Sequence, residues 1–292
     1  MKHCSLFLIL TTLIGIFSSY TSPASIVTDG LVSYWTFDKS NIGNKAAKDV
    51  WGDNDGEING NPIVVPGKVG EALEFNGLDD YVKLTTLGNF AERLGTSTFE
   101  AWFRTSNTED GMTLFKALDP DCDMGWGIDI NLAGGIEDVR LDVGLFLFHV
   151  RHKNNSGGCS GSSSGRGLPV VNVTDGKWHH IVYSLDIQKD NGLLPWKKLK
   201  SVYIDGKYVE FGFSRSTERG IYIPFKEPIY LGVGKYEGQL EWYFEGTIDE
   251  VRIYDRPITA DEVTQNYESR IPFNVEPQGK LSTVWGKLKS KY

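Results

Sequence analysis

Ser97–Thr105 reads STFEAWFRT, and the period of this stretch decides the fold class. Phe99, Ala101 and Phe103 recur every second residue, so they share one face of a strand. Similar runs lie on both sides of it. Upstream are Leu31–Phe37, Glu57–Val64, Ala72–Phe75 and Asp80–Leu84, with turn signals at Pro66-Gly67 and Asn76-Gly77. Downstream are Met112–Ala117, Gly125–Ile130, Val139–Val143, Leu145–His152, Trp178–Leu185 and Lys200–Ile204. Asp205-Gly206 then reads as a hairpin turn into Lys207–Phe211. Pro228–Val233 and Tyr243–Tyr254 complete the set. About a dozen short strands at close spacing predict an all-β protein, a two-sheet antiparallel β-sandwich, rather than α/β.

Helical signal is confined to the end. Pro257–Arg270 (PITADEVTQNYESR) opens on Thr259 with Glu262 three residues later, a capping box. Val263 and Tyr267 then share a face, which predicts a short helix on the sandwich edge. Asn154–Gly167 is nearly all Gly, Ser and Asn and reads as a long loop; Asn191–Lys198 and Phe213–Gly220 read as insertions.

The start of the chain has a different character. Lys2 and His3 precede an apolar run, Leu6–Phe17, followed by small residues up to Ser25. This is the layout of a secretory signal peptide cleaved after Ala24, and it predicts a secreted or cell-surface protein. The run is too short for a comfortable transmembrane helix. Residues 1–24 are therefore expected to be the signal, 25–270 one sandwich domain, and 271–292 a linker and tail. Lys280–Tyr292 (KLSTVWGKLKSKY) is basic and amphipathic through Leu281, Trp285 and Leu288. It reads as a frayed tail or docking strip, or as a recognition or sorting tail read by another protein.

Without residues 1–24, two cysteines remain, Cys122 and Cys159. In an exported chain such a pair forms a disulfide as a rule, worth roughly 3–4 kcal/mol if unstrained; the alternative is two free thiols. The formal net charge of −8 over 292 residues disfavours nucleic acid as a partner. It suits divalent cations better.

Several runs together resemble laminin-G-like, concanavalin-A-like modules. They are GLVSYWTFD (Gly30–Asp38), GEALEFNGLDDYVKL (Gly70–Leu84), STFEAWFRT, DGKWHHIVYSLD (Asp175–Asp186), VYIDGKYV (Val202–Val209) and FEGTIDEVRIYDRPITADEV (Phe244–Val263). The resemblance covers Gly30 to Glu268. It implies a jelly roll whose first and last strands meet, and a structural calcium near that meeting point. Asp38 and Asp249 are the expected ligands, with groups from the loop Asp53, Asn54 and Asp55.

The same resemblance brings in sandwich glucanases, which need two carboxylates flanking a sugar. Glu100 reads as isolated, and the Asp249-Glu250 pair is expected to face opposite sides of its strand. No nucleophile elbow, Walker or dinucleotide fingerprint occurs. His179 and His180 also point apart, so they make a poor metal pair and are expected to pack and hydrogen-bond within the sandwich. The expected role is a calcium-stabilised, non-catalytic module that binds a glycan or an extracellular protein. Alternatives are a secreted glycoside hydrolase-like enzyme or a surface-retained adhesive component. Trp51, Trp126, Trp196, Trp242 and Tyr236 are the aromatics considered for stacking on sugars.

Overall fold

The computed structural model describes residues 25–84, 96–109, 111–117, 126–130, 146–153, 159–164, 172–186, 200–209, 228–236 and 238–269. Within them the strands run in chain order as follows. β1 is Leu31–Trp35, β2 Ile42–Gly43, β3 Ala46–Ala47, β4 Gly56–Asn59, β5 Ile63–Pro66, β6 Glu71–Asn76 and β7 Tyr81–Leu84. Then come β8 Thr96–Arg104, β9 Met112–Ala117, β10 Trp126–Ile130, β11 Phe146–Lys153 and β12 Cys159–Ser164. The last are β13 His179–Asp186, β14 Lys200–Ile204, β15 Lys207–Tyr208, β16 Ile229–Leu231, β17 Gly234–Tyr236, β18 Gln239–Glu241 and β19 Glu245–Tyr254; helix α1 spans Ala260–Glu268.

Two large antiparallel sheets face each other. One has the order β15-β14-β13-β8-β19-β6-β5, with β1 also paired to β19; the other has the order β12-β11-β10-β9-β16-β7-β4-β3-β2. The alternation read in β8 holds: Phe99, Ala101 and Phe103 enter the core with Trp35, Phe75 and Phe115. Phe99 meets Phe115 of the opposite sheet at 4.0 Å between ring centroids. Burial of each such ring contributes about 1.5–3 kcal/mol, so the inward row of β8 holds the two sheets together.

Long strand β19 changes partner along its length. Its first half, Glu245–Ile248, pairs β6, and its second half, Val251–Tyr254, pairs β1, while β8 runs along its other side. At the changeover the register with β8 slips between Asp249 and Arg252, and Glu250 adopts a positive φ of 53°. This bulge lies at the seam where the first strand ends and β6 begins.

Three expectations are corrected. Glu57–Val64 is not one strand: it breaks at Gly60 (φ 74°) into β4 and β5, which belong to different sheets. Asp80 Oδ1 fixes the break by accepting the backbone N–H of Asn61 at 2.6 Å. The Gly/Ser stretch contains a strand, β12, antiparallel to β11; backbone pairing at a sheet edge needs no apolar side chains. The helix has the expected capping box, but it lies against the outer face of the first sheet. Tyr267 stacks on Trp102 at 5.4 Å, and Val263 joins Ile26, Val27, Tyr34, Val182 and Tyr254 in a second apolar layer. No described helix is long and apolar enough to cross a membrane. Residues 1–24, Cys122 and residues 271–292 lie outside the described residues, and so does Trp196.

Candidate functional site

The outer face of the first sheet has a closed end and an open end. At the closed end, the bulge in β19 turns Asp249 and Glu250 to the same side. Asp249 lies across the ladder from Trp102, and Arg252 across from Glu100. Opposed residues share a face, so all four project away from the core. The expectation that Asp249 and Glu250 point apart is therefore wrong, because the positive φ of Glu250 breaks the two-residue period. Nor is Glu100 isolated. Its Oε1 accepts from His180 Nε2 at 2.7 Å and Arg252 Nη1 at 3.1 Å, and its Oε2 accepts from Asn266 Nδ2 at 2.7 Å. Arg252 also bonds Glu250, which accepts the Tyr34 hydroxyl.

Burial alone would raise the Glu100 carboxyl, but Arg252, His180 and Asn266 outweigh it and hold the group below the usual range. Burial also acts on Asp249, and there it is reinforced by the adjacent Glu250 charge; the Asp249 carboxyl is held well above the usual range. Every member of this network is buried, so it offers no surface to a sugar. It joins β1, β8, β13, β19 and α1 into one unit.

The expected calcium ligands divide into two groups. Asp38 Oδ1 accepts the backbone N–H of Glu71 at 2.8 Å, and Asp249 Oδ2 accepts those of Lys68 and Val69 at 2.8 and 3.0 Å. Both carboxylates thus hold the turn between β5 and β6. The 53–55 loop is arranged round a residue the sequence reading passed over, Asp49. Its Oδ1 accepts backbone N–H groups of Tyr34, Trp51 and Gly52, and its Oδ2 that of Asn54. Asp55 accepts the Asp49 N–H and Asn54 donates to Ser33, while Asp53 is exposed. The signal available in the sequence was an aspartate shortly before a turn-forming run, Asp49-Val50-Trp51-Gly52-Asp53-Asn54, an Asx-turn pattern. Among the described residues, no group of three His, Cys, Asp or Glu side chains is placed to hold a metal ion.

His179 and His180 do point apart. His179 lies between Asp205 Oδ2 at 2.9 Å and Asp175 Oδ1 at 3.1 Å. Of the aromatics considered for stacking, Trp51 is 37% exposed and donates its indole N–H to Leu31 O. Trp242 is half-buried with φ 56°. Trp126 and Tyr236 lie in strands β10 and β17.

The open end was not foreseen. Ile63, Glu74, Thr247 and Arg104 lie side by side on β5, β6, β19 and β8. Their neighbours Leu73, Phe75, Phe103 and Ile248 are core residues, so this row points outward. It floors a cleft of about 450 Å³, walled by Asn61, Asn76, Asp80, Ser106 and Glu245. The Arg104 guanidinium lies 5.0 Å from the Trp178 ring and makes only a long, 3.4 Å bond to Thr247 Oγ1. The Glu74 carboxylate is half-buried and, among the described residues, makes no hydrogen bond or ion pair. Strands lie about 4.8 Å apart, which places the backbones of Glu74 and Arg104 about 10 Å apart with the Thr247 hydroxyl between them. An acceptor and a donor with spare capacity therefore face one accessible hollow. Strands β5 and β6, which are consecutive, are joined there by the distant β8 and β19, and only the outward positions of each strand could have signalled it.

The two facing sheets and the polar cleft on one outer face define a lectin-like β-sandwich. The chain belongs to the concanavalin A-like lectin/glucanases superfamily, whose profile matches residues 75–264. Among solved structures it is similar to a Trypanosoma rangeli sialidase in complex with sialic acid, at 18% identity and a TM-score of 0.56, covering 84% of this chain and 34% of that one. It is also similar to the receptor binding domain of botulinum neurotoxin C/D mosaic serotype, at 14% identity and a TM-score of 0.55, covering 82% and 51%. The binding domain of Paraclostridial Mosquitocidal Protein 1 matches at 17% identity and a TM-score of 0.53, covering 82% and 52%. The chain thus spans between a third and about half of these chains, and at such identities the likeness is one of fold. No curated protein sequence matches the chain.

Proposed function

We propose that this protein is a glycan-binding module whose ligand sits in the cleft over Ile63, Glu74, Thr247 and Arg104. The observation that carries the reading is the unpartnered Glu74 carboxylate and the lightly engaged Arg104 guanidinium facing one open hollow. Sugar hydroxyls both donate and accept, so a carboxylate and a guanidinium on either side of a hydroxyl match a polyol. Exposed Ile63 offers an apolar contact for the C–H face of a pyranose. A structurally similar neurotoxin binding domain is described in complex with a sialylated ligand, SialylT, at 16% identity and a TM-score of 0.54; this agrees with a sugar-binding use of the fold.

Export through residues 1–24 and a calcium ion at Asp38 and Asp249 belong to the same proposal. Calcium is supported by the oxygen that hydrogen bonding leaves free on each carboxylate. Among the described residues, no donor reaches Asp38 Oδ2, and Asp249 Oδ1 is buried with none. In this reading the ion would neutralise the seam between β1 and β6 and take no part in ligand chemistry. The test of the binding role is titration of the protein against a panel of neutral, acidic and basic oligosaccharides. Saturable binding that weakens at least tenfold in both Glu74→Ala and Arg104→Ala supports it. Binding to none of the panel, or binding unaffected by both changes, overturns it.

A further inference from the structure

The charges of the cleft bear on which sugars it takes. Three carboxylates line it, Glu74, Asp80 and Glu245, against one guanidinium, Arg104. Two of the three acids are already engaged. Asp80 uses Oδ1 on the Asn61 N–H and Oδ2 on the Asn76 N–H, and Glu245 Oε2 accepts from Asn107 Nδ2 at 2.8 Å. Among the described residues, none engages the Glu74 carboxylate. Its neighbours across the ladder are Ile63 and Thr247, so neither strand beside it supplies a cation. A half-buried carboxylate in an acidic hollow gains most from a ligand that brings a positive charge.

Resting on the glycan reading above, the geometry points to a sugar that carries a free amine, a glucosamine-type unit whose ammonium pairs with Glu74. The ammonium would donate charge-assisted hydrogen bonds to Glu74, roughly twice as strong as neutral ones. The sugar hydroxyls would take the remaining contacts, accepting from Arg104 and bonding the Thr247 hydroxyl. N-acetylation replaces the ammonium by a neutral amide and leaves the Glu74 charge uncompensated. Acidic sugars are disfavoured twice, by the excess of carboxylates in the cleft and by the formal charge of −8 on the chain. The ligand class therefore differs from the sialylated ligands named for structures of the same fold.

Calorimetric titration of the full chain with short β-linked glucosamine oligomers, their fully N-acetylated counterparts and sialyllactose tests this, at mildly acidic pH where the amines are protonated. Free-amine oligomers should bind about tenfold or more tighter than the acetylated ones, which corresponds to about 1.4 kcal/mol. The preference should weaken as salt rises. Glu74→Gln should abolish the preference while leaving the melting temperature near wild type. If that variant is misfolded, Glu245→Gln, which removes a second cleft charge, should reduce the same preference. Equal binding of amine and acetylated oligomers, or a preference unchanged in both variants, overturns the ligand class while leaving the glycan reading intact. Tighter binding of a lysine-rich peptide than of any oligomer also overturns it. Binding of no sugar at all removes both readings.

Discussion

Asp38 and Asp249 hold opposite ends of a single turn: Asp38 accepts the N–H of Glu71, and Asp249 accepts those of Lys68 and Val69. One carboxylate follows the first strand and the other sits in the last. The turn closes the gap where β19 leaves β6 and takes up β1. Backbone donors that a continuous strand would have paired are met instead by side-chain oxygens.

Asp249 binds a proton more tightly in the folded protein than in the unfolded chain, because burial and the Glu250 charge both disfavour its ionised form. Its contribution to stability is therefore present below the ordinary carboxylate range, near pH 4. It is lost as pH rises through the raised folded value. With a chelator present, Asp249→Asn should be more stable than wild type at neutral pH, by about 1 kcal/mol, and should lose less stability between acid and neutral pH. Added calcium should raise the melting temperature of wild type and not of the variant. A wild-type melting temperature indifferent to both calcium and chelator would remove the metal from the account.

Gly70 sits in the same turn with φ +61°, and a Cβ there would come within 2.3 Å of Asp38 Oδ1. Gly70→Ala should cost about 1–3 kcal/mol from the conformation alone, with the displaced Asp38 bond added. Denaturant unfolding would measure it. Gly43 has open space where its Cβ would be, so Gly43→Ala is the matched control and should change stability by less than about 1 kcal/mol.

Removing Arg252 strands two buried carboxylates, Glu100 and Glu250. Arg252→Met should destabilise the fold by about 3–5 kcal/mol. Part of that loss should be recovered in the triple variant Glu100→Gln, Glu250→Gln, Arg252→Met, where neutral amides replace the two stranded charges and keep acceptors for His180, Asn266 and Tyr34. Equilibrium unfolding of both variants decides between an ion network that sustains the fold and one that merely tolerates burial.

His179 presents each ring nitrogen to a carboxylate. Burial alone would lower its affinity for a proton, but Asp205 and Asp175 outweigh that and raise it. A raised folded value stabilises the protein below the ordinary histidine value, about 6.5. The gain disappears as pH climbs through the folded value. Wild type should exceed His179→Gln by about 1–2 kcal/mol at pH near 5, and the two should converge above neutrality. A gap that is constant with pH would show that the ring acts by packing alone.

Much of the fold was legible because β8 keeps strict alternation and the turns carry Gly, Asn and Asp at the required positions. Thr259 and Glu262 likewise announced the helix start. Legibility failed where a backbone angle broke the period. A positive φ at Glu250 turned an expected opposite-facing pair into neighbours, and Gly60 cut one apolar run into strands of two sheets. The cleft was hidden for another reason. Ile63, Glu74, Arg104 and Thr247 are each unremarkable outward residues, and only strand order makes them a row. A search for two acids on one strand looks past such a site.

The pairing of Leu31–Trp35 with Val251–Tyr254 also sets the direction in which the sandwich can be presented. Val27 and Asn266 are hydrogen-bonded to each other, so the chain enters and leaves the described domain side by side, near the Thr98–Glu100 end of β8. The cleft lies at Arg104, the opposite end of that strand, roughly 20 Å away at strand rise. Whatever is joined to either end of the described domain would hold it from behind, like a handle, with the cleft pointing outward.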